Sequence, residues 1–281
     1  MKMKTKGSII TLWPDWSYSS MVAKNIISNG IDIEYSEVSK DIIEKIPKLL
    51  RGPIGNIDVI ERIPEYMAWV IPMHNKYGRN VVFQPEALYD LKKNHPSTKI
   101  LWWYSLQIQH VLATKKKNQK INKIYSHPQA ILQCRKEIQK MENIETIATP
   151  STTSQIEFLE DHEAVICNMQ TAQKHNLSII NNQFAPSDNV TDFAVVTTQK
   201  GLTTASFQNL TQRKVLFILS LADEAGGLAH KLNILEKYNI NMSSIHSHPN
   251  SEWWIDFPII IENHKSIDIE WLKKEINIEI I

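Results

Sequence analysis

The chain reads Tyr125-Ser-His-Pro-Gln-Ala130 where a predicted β-strand, Lys123–Tyr125, passes into a predicted helix, Gln129–Lys140. Ser126 is a residue type that commonly caps helices, and Pro128 fits a first helical turn because its missing N–H group would have no partner there. A helix that begins here directs free N–H groups and the positive end of its dipole at the junction. The segment therefore predicts either a helix cap or a site for a small carboxylate.

A second junction of the same kind follows the predicted strand Ile144–Ala148. There Ser151, Thr152 and Thr153 precede a predicted helix, Thr153–Glu160. Ligands of open α/β sheets lie off the carboxyl ends of the strands, so both junctions are expected to face one cleft.

Short strands alternate with helices through residues 1–199. The predicted strands are Ser8–Leu12, Ile31–Glu34, Met67–Pro72, Lys123–Tyr125, Ile144–Ala148, Ala164–Cys167, Leu177–Ile180 and Val190–Val196. The predicted helices are Tyr18–Asn29, Lys40–Leu50, Gln129–Lys140, Thr153–Glu160 and Met169–His175. This alternation predicts parallel, helix-covered sheets in two α/β lobes around a cleft. The first lobe would contain about residues 1–110 with a return strand near 190–196, and the second about 111–189.

A polar segment, residues 200–211, is predicted to link these lobes to a small C-terminal domain, residues 212–281. Its predicted elements are the strand Lys214–Leu221, the helix Gly227–Tyr238, the strands Met242–His246 and Trp254–Ile261, the helix Ile269–Glu275 and a last strand. This order predicts a ferredoxin-like βαββαβ fold.

Composition excludes several classes of protein. The 281 residues include 31 Lys and Arg against 30 Asp and Glu, for a formal net charge of +1, so neither nucleic acid nor an anionic membrane is an expected partner. No apolar run reaches the roughly 18 residues of a membrane-spanning helix. Cys134 and Cys167 are too few for a disulfide framework or a four-thiolate zinc site. We expect a cytoplasmic protein without a metal.

Taken together, the motifs resemble those of prephenate dehydratase with a C-terminal ACT domain. Tyr125-Ser-His-Pro-Gln-Ala130, followed by Gln133-Cys134, matches the signature Tyr-Ser-His-Pro-Gln-Ala…Gln-Cys of that family, and Leu12–Ser19 is similar to its opening motif. The resemblance implies two lobes that resemble periplasmic binding proteins and close over the substrate. It also implies a homodimer or homotetramer formed through the ACT domain.

The C-terminal domain carries altered versions of the family's effector motifs. Gly226-Gly227-Leu228 is similar to the Gly-Ala-Leu motif, and His246-Ser247-His248 takes the place of Glu-Ser-Arg. Because the Glu and Arg are replaced, we do not expect phenylalanine to regulate the protein, and the domain would serve mainly to form dimers.

Two substrate motifs also depart from the family. Pro72-Met-His-Asn-Lys76 replaces Pro-Val-Glu-Asn-Ser, and Thr191-Asp-Phe193 replaces Thr-Arg-Phe. An Asp in place of an Arg repels a dicarboxylate, so His74 or Lys76 is expected to supply the compensating positive charge.

The resemblance with these departures predicts a cofactor-independent lyase that acts on prephenate. The preferred hypothesis is a non-aromatising decarboxylation that feeds secondary metabolism such as antibiotic biosynthesis. The alternatives are a prephenate dehydratase of phenylalanine biosynthesis and a catalytically inactive amino-acid sensor. The predicted catalytic residues are His74, Asn75 and Thr191. The predicted substrate-binding residues are Lys76, Ser126, Gln133, Ser151, Thr152, Thr153 and Phe193.

Overall fold

A computed structural model of the chain describes residues 8–10, 18–28, 67–78, 85–117, 120–149, 155–197, 214–251, 253–262 and 269–281. These residues form three β-sheets with helices packed against them. Several predicted features lie outside the described residues, namely the strand Ile31–Glu34, the helix Lys40–Leu50, the trio Ser151, Thr152 and Thr153, and the linker 200–211. Among the described residues, no helix is long and apolar enough to cross a membrane.

The first sheet has the strand order β1-β2-β9-β3. Its strands are β1 (Ser8–Ile10), β2 (Met67–Asn75), β3 (Lys99–Gln107) and β9 (Val190–Thr197). Helix α1 (Tyr18–Ser28) covers one face, and helix α2 (Pro85–Asn94) covers part of the other. Apolar side chains alternate between the two faces of β9, so Phe193 and Val195 pack under α1 whereas Ala194 and Val196 face α2.

The second sheet has the order β6-β5-β7-β4-β8. Its strands are β4 (Val111–Thr114), β5 (Lys123–Ser126), β6 (Glu145–Ala148), β7 (Glu163–Cys167) and β8 (Ser178–Asn181). Its helices are α3 (Pro128–Gln133), α4 (Arg135–Ile138) and α5 (Met169–Lys174). The single helix predicted over 129–140 is wrong, because the backbone leaves the helical region at Cys134 and begins a second short helix. Of the helix predicted over 153–160, the described part has only residues 155–156 in helical conformation, followed by a turn.

Both sheets are mixed, which corrects the prediction of parallel sheets. The pair β1–β2 and the trio β5, β6 and β7 are parallel, whereas β4 and β9 are antiparallel to their neighbours. The chain enters β4 directly from β3, and β9 directly from β8, without a helix between. Each of these two connections crosses between the first and second sheets, so neither β4 nor β9 is paired with the strand that precedes it.

The third sheet has the order β11-β13-β10-β14, with β12 paired to β13, and all its pairs are antiparallel. Its strands are β10 (Lys214–Ala222), β11 (Met242–Ile245), β12 (His248–Ser251), β13 (Trp254–Glu262) and β14 (Ile278–Ile280). Helices α6 (Gly227–Lys237) and α7 (Ile269–Ile276) cover one face. Apart from the additional strand β12, this is the predicted βαββαβ order.

The other face of the third sheet packs on the first sheet. Leu216, Ile218 and Ile260 share one buried apolar cluster with Trp103 of β3 and Leu88 of α2. The third sheet therefore lies against the opposite face of the first sheet from α1.

Candidate active site

Asn75, at the end of β2, is the centre of a buried set of hydrogen bonds. Its Nδ2 group donates to Asn189 Oδ1 at 2.8 Å and to Thr191 Oγ1 at 2.8 Å. Its Oδ1 atom accepts from the backbone N–H groups of Tyr77 at 2.8 Å and Gly78 at 2.7 Å. Because a backbone N–H group can only donate, these two bonds fix which end of the Asn75 amide is the oxygen. Nδ2 is thereby directed at Thr191.

Gln133, the last residue of α3, connects the second sheet to this set. Its Oε1 atom lies 2.7 Å from His110 Nε2 and accepts from Asn189 Nδ2 at 3.0 Å. Asn189 Nδ2 also donates to the Ile108 carbonyl at 3.3 Å, which fixes the orientation of the Asn189 amide. Since Gln133 Oε1 only accepts, the His110 proton is on Nε2. We call Asn75, His110, Gln133, Asn189 and Thr191 the amide network.

The hydrogen bonds of the amide network end on two acceptor oxygens. Thr191 Oγ1 and Gln133 Oε1 are acceptors in them, so the Thr191 hydroxyl proton and the Gln133 amide protons have no acceptor within the network. The Gln133 Nε2 atom lies beside Gly78, 3.3 Å from where a Cβ atom on that glycine would stand. An arrangement that presents donors suits a ligand with anionic or hydroxyl oxygens.

The amide network lies where the chain passes between the first and second sheets. His110 ends the segment from β3 to β4, and Asn189 ends the segment from β8 to β9. These crossing segments are joined by backbone hydrogen bonds of 2.8 Å from Ile108 N to the Asn189 carbonyl and from Phe184 N to the His110 carbonyl. The network thus contains two residues from strands of the first sheet, one from the end of a helix of the second sheet, and one from each crossing segment.

His110 and Asn189 were not predicted from the sequence. His110 was missed because neither β3 nor β4, the two strands that flank it, was recognised. Asn189 stands just before the predicted strand Val190–Val196, and no pattern in the sequence marks its side chain as buried. In the structure Asn189 is completely buried and His110 almost completely.

The protonation of His110 makes the stability of the fold depend on pH. Burial lowers the pKa of the His110 imidazole from 6.5 to about 4, against the smaller opposing effects of Gln133 and the Cys167 backbone. The unfolded chain takes up a proton below about pH 6.5, whereas the folded chain does not until about pH 4. The contribution of neutral His110 to stability is therefore present at pH 7 and is lost as the pH falls through this range, by ~2–3 kcal/mol at pH 4.5.

We predict that His110→Gln removes this part of the pH dependence. The free energy of unfolding, measured by urea titration between pH 7 and pH 4.5, should fall less steeply in this variant than in the parent. His230→Gln, at an exposed histidine, is the control and should retain the parent's slope. Equal slopes in the parent and His110→Gln would contradict the prediction.

The structure does not bring His74 to the amide network. In the pairing of β2 with β9, Asn75 stands opposite Thr191, and His74 stands opposite Asp192. Neighbouring residues of a strand point to opposite faces of the sheet, so His74 and Asp192 lie on the other face from Asn75 and Thr191. His74 Nδ1 is 3.8 Å from Asp192 Oδ2.

Lys76 is exposed at the edge of the amide network, one residue beyond Asn75. Its ammonium group pairs with Asp188, which also accepts a hydrogen bond from the Tyr77 hydroxyl. The Asp188 hydrogen bond is the main cause that raises the Lys76 pKa. The charge of Lys76 is thus balanced within the chain.

Ser126 and Phe193 are buried in the interior of the sheets. The Ser126 hydroxyl donates to the Ile166 carbonyl at 2.7 Å, and His127 rather than Ser126 caps α3, with Nδ1 accepting from Gln129 N at 3.3 Å. The predicted cap was wrong by one residue because Ser126 still belongs to β5. Phe193 packs in the apolar core beneath α1. This position does not agree with a role in substrate binding.

The negative charge of Asp192 is balanced by a lysine of the third sheet. Lys214 Nζ lies 2.8 Å from Asp192 Oδ2, and the Ser105 hydroxyl donates to Oδ1 at 2.6 Å. Burial disfavours the Asp192 carboxylate, but His74, Lys214 and Ser105 outweigh it and lower its pKa to about 2. Among the described residues, the cationic group nearest to Asp192 is therefore Lys214, whereas Lys76 pairs with Asp188.

The predicted effector residues lie at the edges of the third sheet. Gly226 has a left-handed backbone, with φ of 87°, and precedes α6, which begins with Gly227 and Leu228. The backbone N–H of His246 donates to the Pro258 carbonyl at 3.2 Å, and Ser247 is exposed. His248 stacks on Tyr89 of α2, with ring centroids 4.7 Å apart.

The amide network lies in a part of the chain that matches a known protein family. The sequence profile of the family described as Prephenate dehydratase matches residues 59–201, which include every member of the network. The prephenate dehydratase of Methanocaldococcus jannaschii is 29% identical over 228 residues, covering 77% of this chain and 79% of that protein.

Two solved structures share the fold over nearly the whole chain. Prephenate dehydratase from Staphylococcus aureus subsp. aureus Mu50 has a TM-score of 0.66 at 19% identity and covers 98% of each chain. GqqA, described as a novel type of quorum quenching acylase, has a TM-score of 0.62 at 14% identity and covers 97% of this chain and 95% of its own. At these identities the likeness concerns the two-lobed α/β fold alone.

Proposed function

The chain belongs to the prephenate dehydratase family, and from this premise we propose that it is a lyase that binds prephenate at the amide network. Prephenate carries two carboxylates, a keto group and a ring hydroxyl. The Gln133 amide protons and the Thr191 hydroxyl proton are suited to donate to such oxygens. No cofactor is needed in this proposal, because both possible reactions are driven by loss of carbon dioxide.

The observation that carries the proposal is the 2.8 Å hydrogen bond from Asn75 Nδ2 to Thr191 Oγ1. It occupies a lone pair of the hydroxyl oxygen and leaves the hydroxyl proton to donate to the substrate. In a dehydration, the ring carboxylate leaves as carbon dioxide, its bonding electrons enter the ring, and the C–O bond to the ring hydroxyl breaks. A hydrogen bond from Thr191 stabilises the negative charge that develops on the departing hydroxyl, which leaves as hydroxide and becomes water by taking up a proton from solvent.

The position of Asp192 favours dehydration over non-aromatising decarboxylation. The decarboxylase hypothesis rests on the altered motifs, among them Asp192 in place of an Arg, which would repel the substrate if it faced the site. Asp192 lies on the opposite face of the sheet from Thr191 and is paired with Lys214. We therefore propose phenylpyruvate, water and carbon dioxide as the products.

Non-aromatising decarboxylation is the second candidate, and the composition of the amide network favours it. Within the described residues, the network contains no carboxyl group, and its only imidazole is neutral near pH 7. A site without a strong acid assists the departure of a hydroxyl group less than a site with one. In this reaction carbon dioxide leaves, a ring carbon takes up a proton, and the hydroxyl group is retained.

The first experiment is proton NMR of prephenate incubated with the purified protein at neutral pH. Aromatic signals of phenylpyruvate that grow faster than in a protein-free sample support dehydration. Signals of a dihydro ring that keeps its hydroxyl group support decarboxylation. Decay at the protein-free rate contradicts both reactions and leaves the inactive amino-acid sensor.

Gly78→Ala is predicted to lower kcat/KM for prephenate by roughly tenfold, because small displacements of positioning groups have large effects on rate. The added Cβ would stand 3.3 Å from both Asn75 Oδ1 and Gln133 Nε2, so both amides must move by a few tenths of an ångström. The check is steady-state kinetics together with a thermal melt. An unchanged kcat/KM would show that the two amides do not determine the rate.

We further propose that residues 212–281 form an ACT-like domain through which two chains associate. The βαββαβ order of the third sheet supports the first part of this proposal. The altered residues His246 and His248 argue against phenylalanine as an effector. Analytical ultracentrifugation with and without phenylalanine tests both points, and a monomer or a phenylalanine-induced change would contradict them.

A further inference from the structure

The ion pair of Asp192 and Lys214 joins two sheets directly behind the amide network. Asp192 belongs to β9 of the first sheet, and Lys214 is the first residue of β10 in the third sheet. Their charged atoms are 2.8 Å apart, and each side chain is only 12% exposed. The pair is therefore shielded from solvent, unlike the exposed pair of Lys76 and Asp188.

Three neighbouring strands each place one polar group beside this pair. Ser105 of β3 donates to Asp192 Oδ1 at 2.6 Å, and His74 of β2 lies 3.8 Å from Oδ2. Glu262 of β13 lies 4.0 Å from Lys214 Nζ. With Lys214 absent, His74 would be the nitrogen-bearing side chain of this set that remains beside Asp192.

The pair acts on the strand segment that carries Thr191. Thr191 and Asp192 are consecutive residues of β9, and their side chains point to opposite faces of the sheet. A carboxylate in this shielded position that loses its partner must recruit water, change its rotamer or take up a proton. We expect the first two responses to shift the backbone of β9 at Thr191.

We propose that Lys214 is a positioning residue for the active site: by pairing with Asp192 it fixes the backbone of β9 at Thr191, so that the third sheet controls the geometry of the amide network. This inference rests on the proposed function for its kinetic readout. The geometry of Thr191 can be measured without any substrate.

The test compares Lys214→Met with the neutral pair Asp192→Asn/Lys214→Met. In Lys214→Met, kcat for prephenate should fall about tenfold at pH 8 and recover as the pH is lowered, because protonation of Asp192 removes the unpaired charge. The neutral pair should keep a kcat within about threefold of the parent and show no such recovery. The methyl NMR signal of Thr191 should shift in Lys214→Met and return towards its parent position in the neutral pair.

Lys92→Met is the matched control. Lys92 is also 12% exposed and pairs across the same boundary with Glu279, at 3.2 Å, and its hydrogen bonds go to the Pro96 and Thr98 carbonyls, outside β9. This variant should melt at a lower temperature than the parent, with the parent's kcat, pH profile and Thr191 signal.

Two results would overturn the inference. One is a folded Lys214→Met protein with the parent's Thr191 signal and pH profile; the other is a Lys92→Met protein that shows the same kinetic defect. If the parent does not turn over prephenate, the proposed function fails, whereas the Thr191 signal still decides whether Lys214 positions β9. Should Lys214→Met not fold, Asp192→Asn alone is expected to move the Thr191 signal, and an unmoved signal there contradicts the inference.

Discussion

Thr191→Val should reduce kcat for prephenate by roughly 10²- to 10⁴-fold, the range that a positioned proton donor contributes to catalysis. Valine has nearly the shape of threonine but offers no hydroxyl proton to the departing group. The fold should tolerate the change, because Asn75 Nδ2 keeps its bonds to Asn189 at 2.8 Å and to the Val190 carbonyl at 3.1 Å. We expect a loss of stability of at most about 1–2 kcal/mol.

Thr191→Ser is the matched variant, since it restores the hydroxyl and removes only a methyl group. It should recover most of the turnover, measured as the rate of phenylpyruvate formation. Urea titration of both variants separates a catalytic loss from unfolding. A Thr191→Val protein with the parent's kcat would remove Thr191 from the mechanism.

Asn75→Asp should lower both stability and turnover. An aspartate keeps the oxygen that accepts from Tyr77 and Gly78, but it places a second oxygen where Nδ2 now donates to Asn189 and Thr191. Asn75 is fully buried, so the variant either buries an unpaired charge or takes up a proton. We expect the free energy of unfolding at pH 7 to fall by about 2–4 kcal/mol and kcat by at least about 10²-fold.

The direction in which the stability of Asn75→Asp changes with pH distinguishes a buried carboxylate from a general disruption of the fold. Burial raises the pKa of a carboxyl group, and a protonated aspartate regains one donor. Asn75→Asp should therefore become more stable, relative to the parent, as the pH falls from 7 to 5. Asn168→Asp is the control, because the Asn168 oxygen accepts from Thr171 N at 2.7 Å and a carboxylate can do the same. A variant of Asn75 whose stability relative to the parent does not change with pH would contradict the argument.

The periodicity of the sequence predicted most helices and strands, but it ended strand β2 too early. The apolar run from Met67 was assigned as a strand to Pro72, whereas β2 continues to Asn75. Had the strand been extended, its two-residue alternation would have placed His74 and Asn75 on opposite faces. The motif that groups His74 with Asn75 does not show which face of the strand each side chain takes.

Other features of the site depend on contacts between distant segments, for which a single sequence carries no signal. Gln133 and Thr191 could be selected because they belong to recognisable motifs. Lys214 could not, because it begins a strand beyond the segment 200–211 and nothing in the sequence relates it to Asp192. The same holds for His110, whose meeting with Gln133 depends on how the two sheets are joined.

The two crossing segments join the first and second sheets beside the amide network, so we expect any rotation between these sheets to pivot there. If the second sheet rotates relative to the first, the rotation axis passes near the paired backbones of Ile108 and Asn189, because these are the points at which the sheets are joined. Atoms travel in proportion to their distance from such an axis. The outer edges of the sheets can then separate widely while His110 and Asn189 hardly move. A substrate can enter and a product can leave without the amide network being taken apart at each turnover.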